Sequence, residues 1–138
     1  MMPDVTVVIP AHNGAQHIQA CLDSIARQTR RPEEVIIVEN GSSDETWEVC
    51  VDWIAAHDLP VRLVSLDHGN VSNARNIGFS LATTTLVALL DADDCYMPDF
   101  IETAVAAYGA VPDTDLFFGD RMLFDEEAGD LGPALATS

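Results

Sequence analysis

Apolar residues fall into two rhythms along this chain. Val5-Thr6-Val7-Val8-Ile9, Val35-Ile36-Ile37-Val38, Val61-Arg62-Leu63-Val64-Ser65-Leu66 and Leu86-Val87-Ala88-Leu89-Leu90 are short runs rich in branched side chains. Hydrophobicity that ignores the inside-outside alternation predicts strands of a parallel sheet covered on both faces. Between the runs the spacing turns helical. Ile18, Cys21, Leu22, Ile25 and Ala26 make one stripe within 15–28, and Trp47, Cys50, Val51 and Ile54 predict the inner face of a second helix. Residues 71–82 read as a third helix, carrying Arg75. Pro98, suited to a first helical position, opens a fourth with Phe100, Ile101, Ala104, Val105 and Tyr108 on one face.

The breaks between elements are short. Pro10 lacks an amide hydrogen and is expected to stop the first strand. Ser42-Ser43-Asp44-Glu45 reads as a helix start with hydroxyl caps and first-turn acids. Leu116-Phe117-Phe118 predicts a fifth strand, and 122–131 a hairpin around Glu127-Ala128-Gly129. The stretch 132–138 has no periodicity and is expected to be a frayed tail behind one domain over 1–131. Strands alternating with helices through short loops imply an α/β fold, a mostly parallel sheet flanked by helices on both faces.

Composition narrows the chemistry. With 138 residues and 48% hydrophobic content the chain can bury a core in spite of a net charge of -17. Its six basic residues are all arginine. So acidic a surface repels nucleic acid and anionic lipid, which removes both as direct partners. The absence of lysine excludes a Walker-type phosphate loop, and no G-x-G-x-x-G follows the first strand, so the dinucleotide reading falls too. Cys21, Cys50 and Cys95 form no C-x-x-C pair and are odd in number, against a disulfide framework or a zinc site; Cys21 and Cys50 are expected in the core. No signal peptide and no apolar segment of spanning length is present, so the expected location is the cytoplasm.

Candidate chemistry concentrates where the fourth strand ends, in Asp91-Ala92-Asp93-Asp94. Ligands of open α/β sheets bind at the carboxyl ends of the strands. Three carboxylates crowded there need a proton, a partner or a cation, and a divalent metal is the simplest answer. The plainer alternative is that these acids, Asp94 above all, cap the next turn. His17, His57 and His68 are not at metal-ligand spacing and receive no role.

Four segments together resemble glycosyltransferase family 2, whose nucleotide-binding half has the GT-A fold. They are Val7-Val8-Ile9-Pro10-Ala11-His12-Asn13, Val38-Glu39-Asn40-Gly41-Ser42-Ser43-Asp44, Gly69-Asn70-Val71-Ser72-Asn73-Ala74-Arg75-Asn76-Ile77-Gly78 and Leu90-Asp91-Ala92-Asp93-Asp94. The resemblance implies the donor half of an inverting, metal-dependent hexosyltransferase, with a Mg²⁺ or Mn²⁺ neutralising the departing diphosphate. It implies that Pro10, Ala11, His12, Asn13, Glu39, Asn40, Arg75, Asp91, Ala92 and Asp93 bind the nucleotide sugar. Asp93 would be the direct metal ligand and Asp91 a contact to the ribose or the metal's outer shell. The family commonly has an aromatic at the position of His12, where an imidazole can still stack. It usually has two aspartates where Glu39 and Asn40 stand, so a UDP, GDP or TDP donor stays open. The catalytic base and the acceptor site, for a sugar or a lipid-linked glycan, are expected beyond Ser138. The missing half implies peripheral membrane attachment as one option, and a sheet edge left bare for a second copy.

Two other readings compete. An aspartate-nucleophile phosphohydrolase also places Asp-x-Asp after an apolar strand, but normally after the first, and it uses a lysine. A non-catalytic domain binding a nucleotide or a partner chain needs only the fold.

Overall fold

A computed structural model describes residues 3–66, 71–110, 122–125 and 129–133. The elements are β1 (Val5–Ala11), α1 (Ile18–Ala26), β2 (Glu34–Asn40), α2 (Thr46–Ala56), β3 (Val61–Leu66), α3 (Val71–Leu81), β4 (Leu86–Leu89), α4 (Phe100–Ala110), β5 (Met122–Asp125) and β6 (Gly129–Pro133). The first four strands form one parallel sheet in the order β3-β2-β1-β4. β5 and β6 pair antiparallel; Glu127 and Ala128 of the expected turn lie outside the described residues, Gly129 already begins β6, and β6 runs to Pro133, two residues into the stretch expected to be frayed. The expected strand at Leu116-Phe117-Phe118 lies outside them as well.

Residue parity sorts the core onto two faces. Val5, Val7, Ile9, Val35 and Ile37 point to one side, where Ile18, Cys21, Leu22 and Ile25 of α1, Cys50 and Trp53 of α2, and Ile101 and Val105 of α4 cover them. Ile36 and Val38 point to the other, against Ala74 of α3. Both faces of β1 and β2 are thus dry, which is why these strands read as unbroken apolar runs. α3 crosses close to the sheet: a Cβ on Gly78 would lie 2.3 Å from Val8 Cγ1, so only glycine fits there.

Two expectations are corrected. Pro10 does not stop β1, which continues to Ala11 with Pro10 beside Val38 of β2. Leu86 and Leu90 donate their N–H groups to the carbonyls of Asp4 and Val8, so even-numbered residues of β1 face β4. Pro10 shares that parity, and β4 has ended at its level. The missing N–H therefore costs no bond. What stops at Pro10 is pairing with β4, and the two chains part there.

The second correction concerns α2, where Trp47 and Val51 are 37% and 44% exposed and Thr46, Cys50 and Trp53 are buried. The phase is set at the start of the helix. Thr46 Oγ1 accepts the Gly14 N–H at 2.8 Å and donates to Asp44 Oδ1, which also accepts the Thr46 N–H at 3.0 Å. Turning Thr46 inward brings Cys50 and Trp53 inward one and two turns later. Asp44, not Ser42 or Ser43, supplies the bond at this helix start.

Candidate functional site

The parting of β1 and β4 is the point where strand order reverses, since β2 and β3 build outward on one side of β1 and β4 returns on the other. A cavity of about 400 Å³ opens there. Pro10, His12, Asn13 and Gly14 form one wall, Asp91, Ala92 and Asp93 the facing one, and Arg75 and His17 complete the lining.

The first wall is held by hydrogen bonds to the turn after β2. Asn13 sits in the left-handed region at φ 49°, which asparagine tolerates. Its N–H donates to Ser42 Oγ at 2.8 Å and its Oδ1 accepts the Ser43 N–H at 2.8 Å. The Ala15 N–H donates to Asp44 Oδ2 at 3.2 Å. Hydrogen bonding, first of all from the Thr46 hydroxyl, holds the Asp44 carboxyl below the usual carboxylate range. The His12 Nδ1–H donates to the Asn40 carbonyl at 2.6 Å, which fixes the ring over the end of β2.

The acidic wall is a tight turn closed by the Asp94 N–H on the Asp91 carbonyl at 3.0 Å. The buried Cys21 thiol reaches the same carbonyl at 3.7 Å, and burial pushes that thiol's pKa well up, so it acts as an apolar support. A Cβ on Gly14 would stand 3.4 Å from Ala92 Cβ, so the two walls touch at their base. Farther along, Gln28 of the α1 end accepts the Ile101 N–H at 3.0 Å and donates to the Met97 carbonyl at 2.6 Å, tying the start of α4 to α1.

Carboxylate oxygens of Asp91, Asp93 and Asp94 lie within 4.8 Å of one another, with Asp93 the exposed member. An all-carboxylate oxygen set suits a hard divalent cation. Arg75 Nη2 lies 3.3 Å from Asp91 Oδ1.

Seven of the residues named from the sequence line the cavity: Pro10, His12, Asn13, Arg75, Asp91, Ala92 and Asp93. Three do not. Ala11 is buried, Glu39 is 5% exposed with its Oε1 accepting the Ser42 N–H at 2.6 Å, and Asn40 is buried with its carbonyl engaged by His12. His17 is in the lining without having been assigned a role. Its place four residues before Cys21, on the helix face that meets the acidic turn, was the available signal.

Comparison with known proteins gives concordant matches. A family model described as glycosyl transferase family 2 matches residues 6–136. The PGL/p-HBAD biosynthesis glycosyltransferase of Mycobacterium tuberculosis H37Rv is 40% identical over 125 residues, 88% of this chain and 48% of its own length. Glycosyltransferase GlyG of Streptococcus pneumoniae is 31% identical over 128 residues, 91% of this chain and 41% of its own. The chain thus spans less than half the length of these relatives. Among solved structures, the mannosyltransferase PcManGT from Pyrobaculum calidifontis, in complex with GDP-Man and Mn²⁺, aligns with a TM-score of 0.71 at 32% identity, over 83% of this chain and 34% of that one. S. aureus TarS 1-349, in complex with UDP-GlcNAc, aligns with a TM-score of 0.74 over 82% of this chain and 33% of that one; at 24% identity it speaks for the fold alone.

Proposed function

The chain belongs to glycosyl transferase family 2, with the GT-A arrangement of its sheet, and from that premise we propose that it holds the donor site of an inverting, metal-dependent hexosyltransferase. The carrying observation is the convergence of Asp91, Asp93 and Asp94 in one turn, of which Asp91 and Asp93 line a cavity whose other wall is Pro10, His12 and Asn13. The nucleoside end of the donor lies along His12, with the ring presented by its bond to Asn40. The diphosphate lies toward Asp93. Asp93 holds Mg²⁺ or Mn²⁺ directly, with Asp91 in its outer shell or on the ribose.

A bound dication would supply charge neutralisation for the leaving diphosphate, the main route to it on a lysine-free chain. The protein's own part is orientation: His12 and Asn13 are locked by backbone bonds, and Arg75 adds a guanidinium suited to phosphate or base oxygens. The GDP-Man and Mn²⁺ held by the Pyrobaculum relative support the same ligand class here.

Calorimetric titration with UDP and GDP, with and without Mn²⁺, tests the reading. Binding of at least one nucleotide that strengthens with Mn²⁺ and is lost with EDTA is the expected result. No binding of either nucleotide in the presence of Mn²⁺ would overturn it.

A further inference from the structure

His17 immediately precedes α1 and lines the cavity beside Gly14, Ala92 and Asp93. Its backbone is fixed on both sides. The His17 N–H donates to the Gly14 carbonyl at 2.9 Å, and the His17 carbonyl accepts the Cys21 N–H at 3.1 Å. Cys21, one turn on, rests its thiol against the Asp91 carbonyl. The helix face that begins at His17 is therefore the one turned toward the acidic turn. The imidazole itself is exposed, caps nothing, and has no hydrogen-bond or ion-pair partner among the described residues.

The order of elements along the sheet edge places this ring relative to a ligand. His12 is tied to Asn40 at the end of β2, whereas Gly14, its N–H held by Thr46, also packs against Ala92 after β4, and β1 lies between. A nucleotide whose nucleoside end lies at His12 carries its phosphates across β1 toward Asp93. The phosphate farther from the nucleoside arrives on the β4 side, which the turn from Gly14 to His17 meets at Ala92. That phosphate meets carboxylates on the facing wall, and Arg75 is engaged with Asp91. A neutral imidazole carries one N–H donor and an imidazolium two, so His17 offers a donor in either state.

We propose that His17 is a further donor-binding residue, hydrogen-bonding the distal phosphate of the nucleoside diphosphate and so setting the preference for diphosphate over monophosphate ligands. The proposal rests on the donor-site reading above and adds to it a contact on the opposite side from Arg75.

The test is titration of the wild-type chain, His17→Ala and His17→Gln with UDP, UMP, GDP and GMP in Mn²⁺, alongside thermal unfolding. His17→Ala is expected to weaken the diphosphates about ten-fold and to leave the monophosphates within roughly two-fold. His17→Gln, which keeps an N–H donor, recovers part of the loss, and the unfolding midpoints stay together because the side chain is exposed. Equal weakening of diphosphate and monophosphate, or none of either, overturns the contact while the donor site stands. A wild-type chain that binds none of the four takes down the donor-site reading and this inference with it.

Discussion

Arg75 Nη2 and Asp91 Oδ1 stand 3.3 Å apart, joining α3 to the acidic turn after β4. The two side chains are 37% and 26% exposed, so water screens the pair and its contribution to stability is at most about 1 kcal/mol. Its consequence is local. One of the three clustered carboxylates already has a cationic neighbour, while Asp93, the exposed one, faces the cavity.

Arg75→Ala is accordingly expected to change unfolding free energy by less than about 1 kcal/mol while weakening nucleotide binding about ten-fold. Arg75→Lys should recover only part of the affinity, because an ammonium cannot reproduce the planar two-pronged donor. Denaturant melts and calorimetry on the same preparations check both halves. A loss of stability equal to the loss of binding energy would mark Arg75 as structural only.

Asp93 separates metal dependence from folding. Its side chain is exposed, so Asp93→Asn should leave the unfolding midpoint unchanged. The gain in UDP or GDP affinity on adding Mn²⁺ should disappear, as EDTA is expected to make it disappear for the wild-type chain. Full Mn²⁺ dependence in Asp93→Asn would move the metal site elsewhere.

Gly78→Ala probes the closeness of α3 to the sheet. The added Cβ would meet Val8 Cγ1 at 2.3 Å, and the strain is expected to cost about 1–3 kcal/mol of stability. Val8→Ala alone leaves a gap. The double variant should be more stable than the sum of the two single losses implies, since each change relieves the other. Strict additivity in urea unfolding would mean that the helix shifts freely.

Acid should loosen the first wall before it unfolds the core. The Asp44 carboxyl is held below its ordinary pKa by the Thr46 hydroxyl and by backbone N–H groups. A depressed folded-state pKa means that this contribution is complete above the ordinary carboxylate range and is lost as pH falls through the lowered value. Asp44→Asn should therefore flatten the acid limb of the stability profile below about pH 4. Chemical shifts of the Gly14 and Ala15 amides, followed against pH, should report the same titration in the wild-type chain.

How much of this was legible in the sequence varies by element. The four parallel strands and the stripe of α1 followed from apolar patterning, clearest for β1 and β2, where burial on both sheet faces leaves a pattern that no loop imitates, while the edge strands β3 and β4 are only partly buried. The acidic turn was legible for a similar reason: three carboxylates after a buried strand have few uncommitted roles. Trp47 and Val51 misled because periodicity alone leaves the rotation of a short helix open, and the polar anchor at Thr46 decided it. Pro10 misled because a residue's missing N–H matters only where a neighbouring strand faces it.

By itself the sequence determined the order of elements, the parallel sheet and the carboxylates at its edge, all properties of neighbours along the chain. Only the tertiary structure decided which loop residues face the cavity. Glu39 turns back to the Ser42 N–H, Asn40 presents its carbonyl to His12, and His17 joins the wall with no sequence motif to announce it. The Glu39 contact is local, three residues apart, but the other outcomes depend on contacts between segments about thirty residues or more apart, such as His12 with Asn40 and Cys21 with Asp91, and on the early end of β4 that opens the gap. Local pattern encodes which face is apolar; the direction of a polar side chain is settled by the partner that folding brings to it.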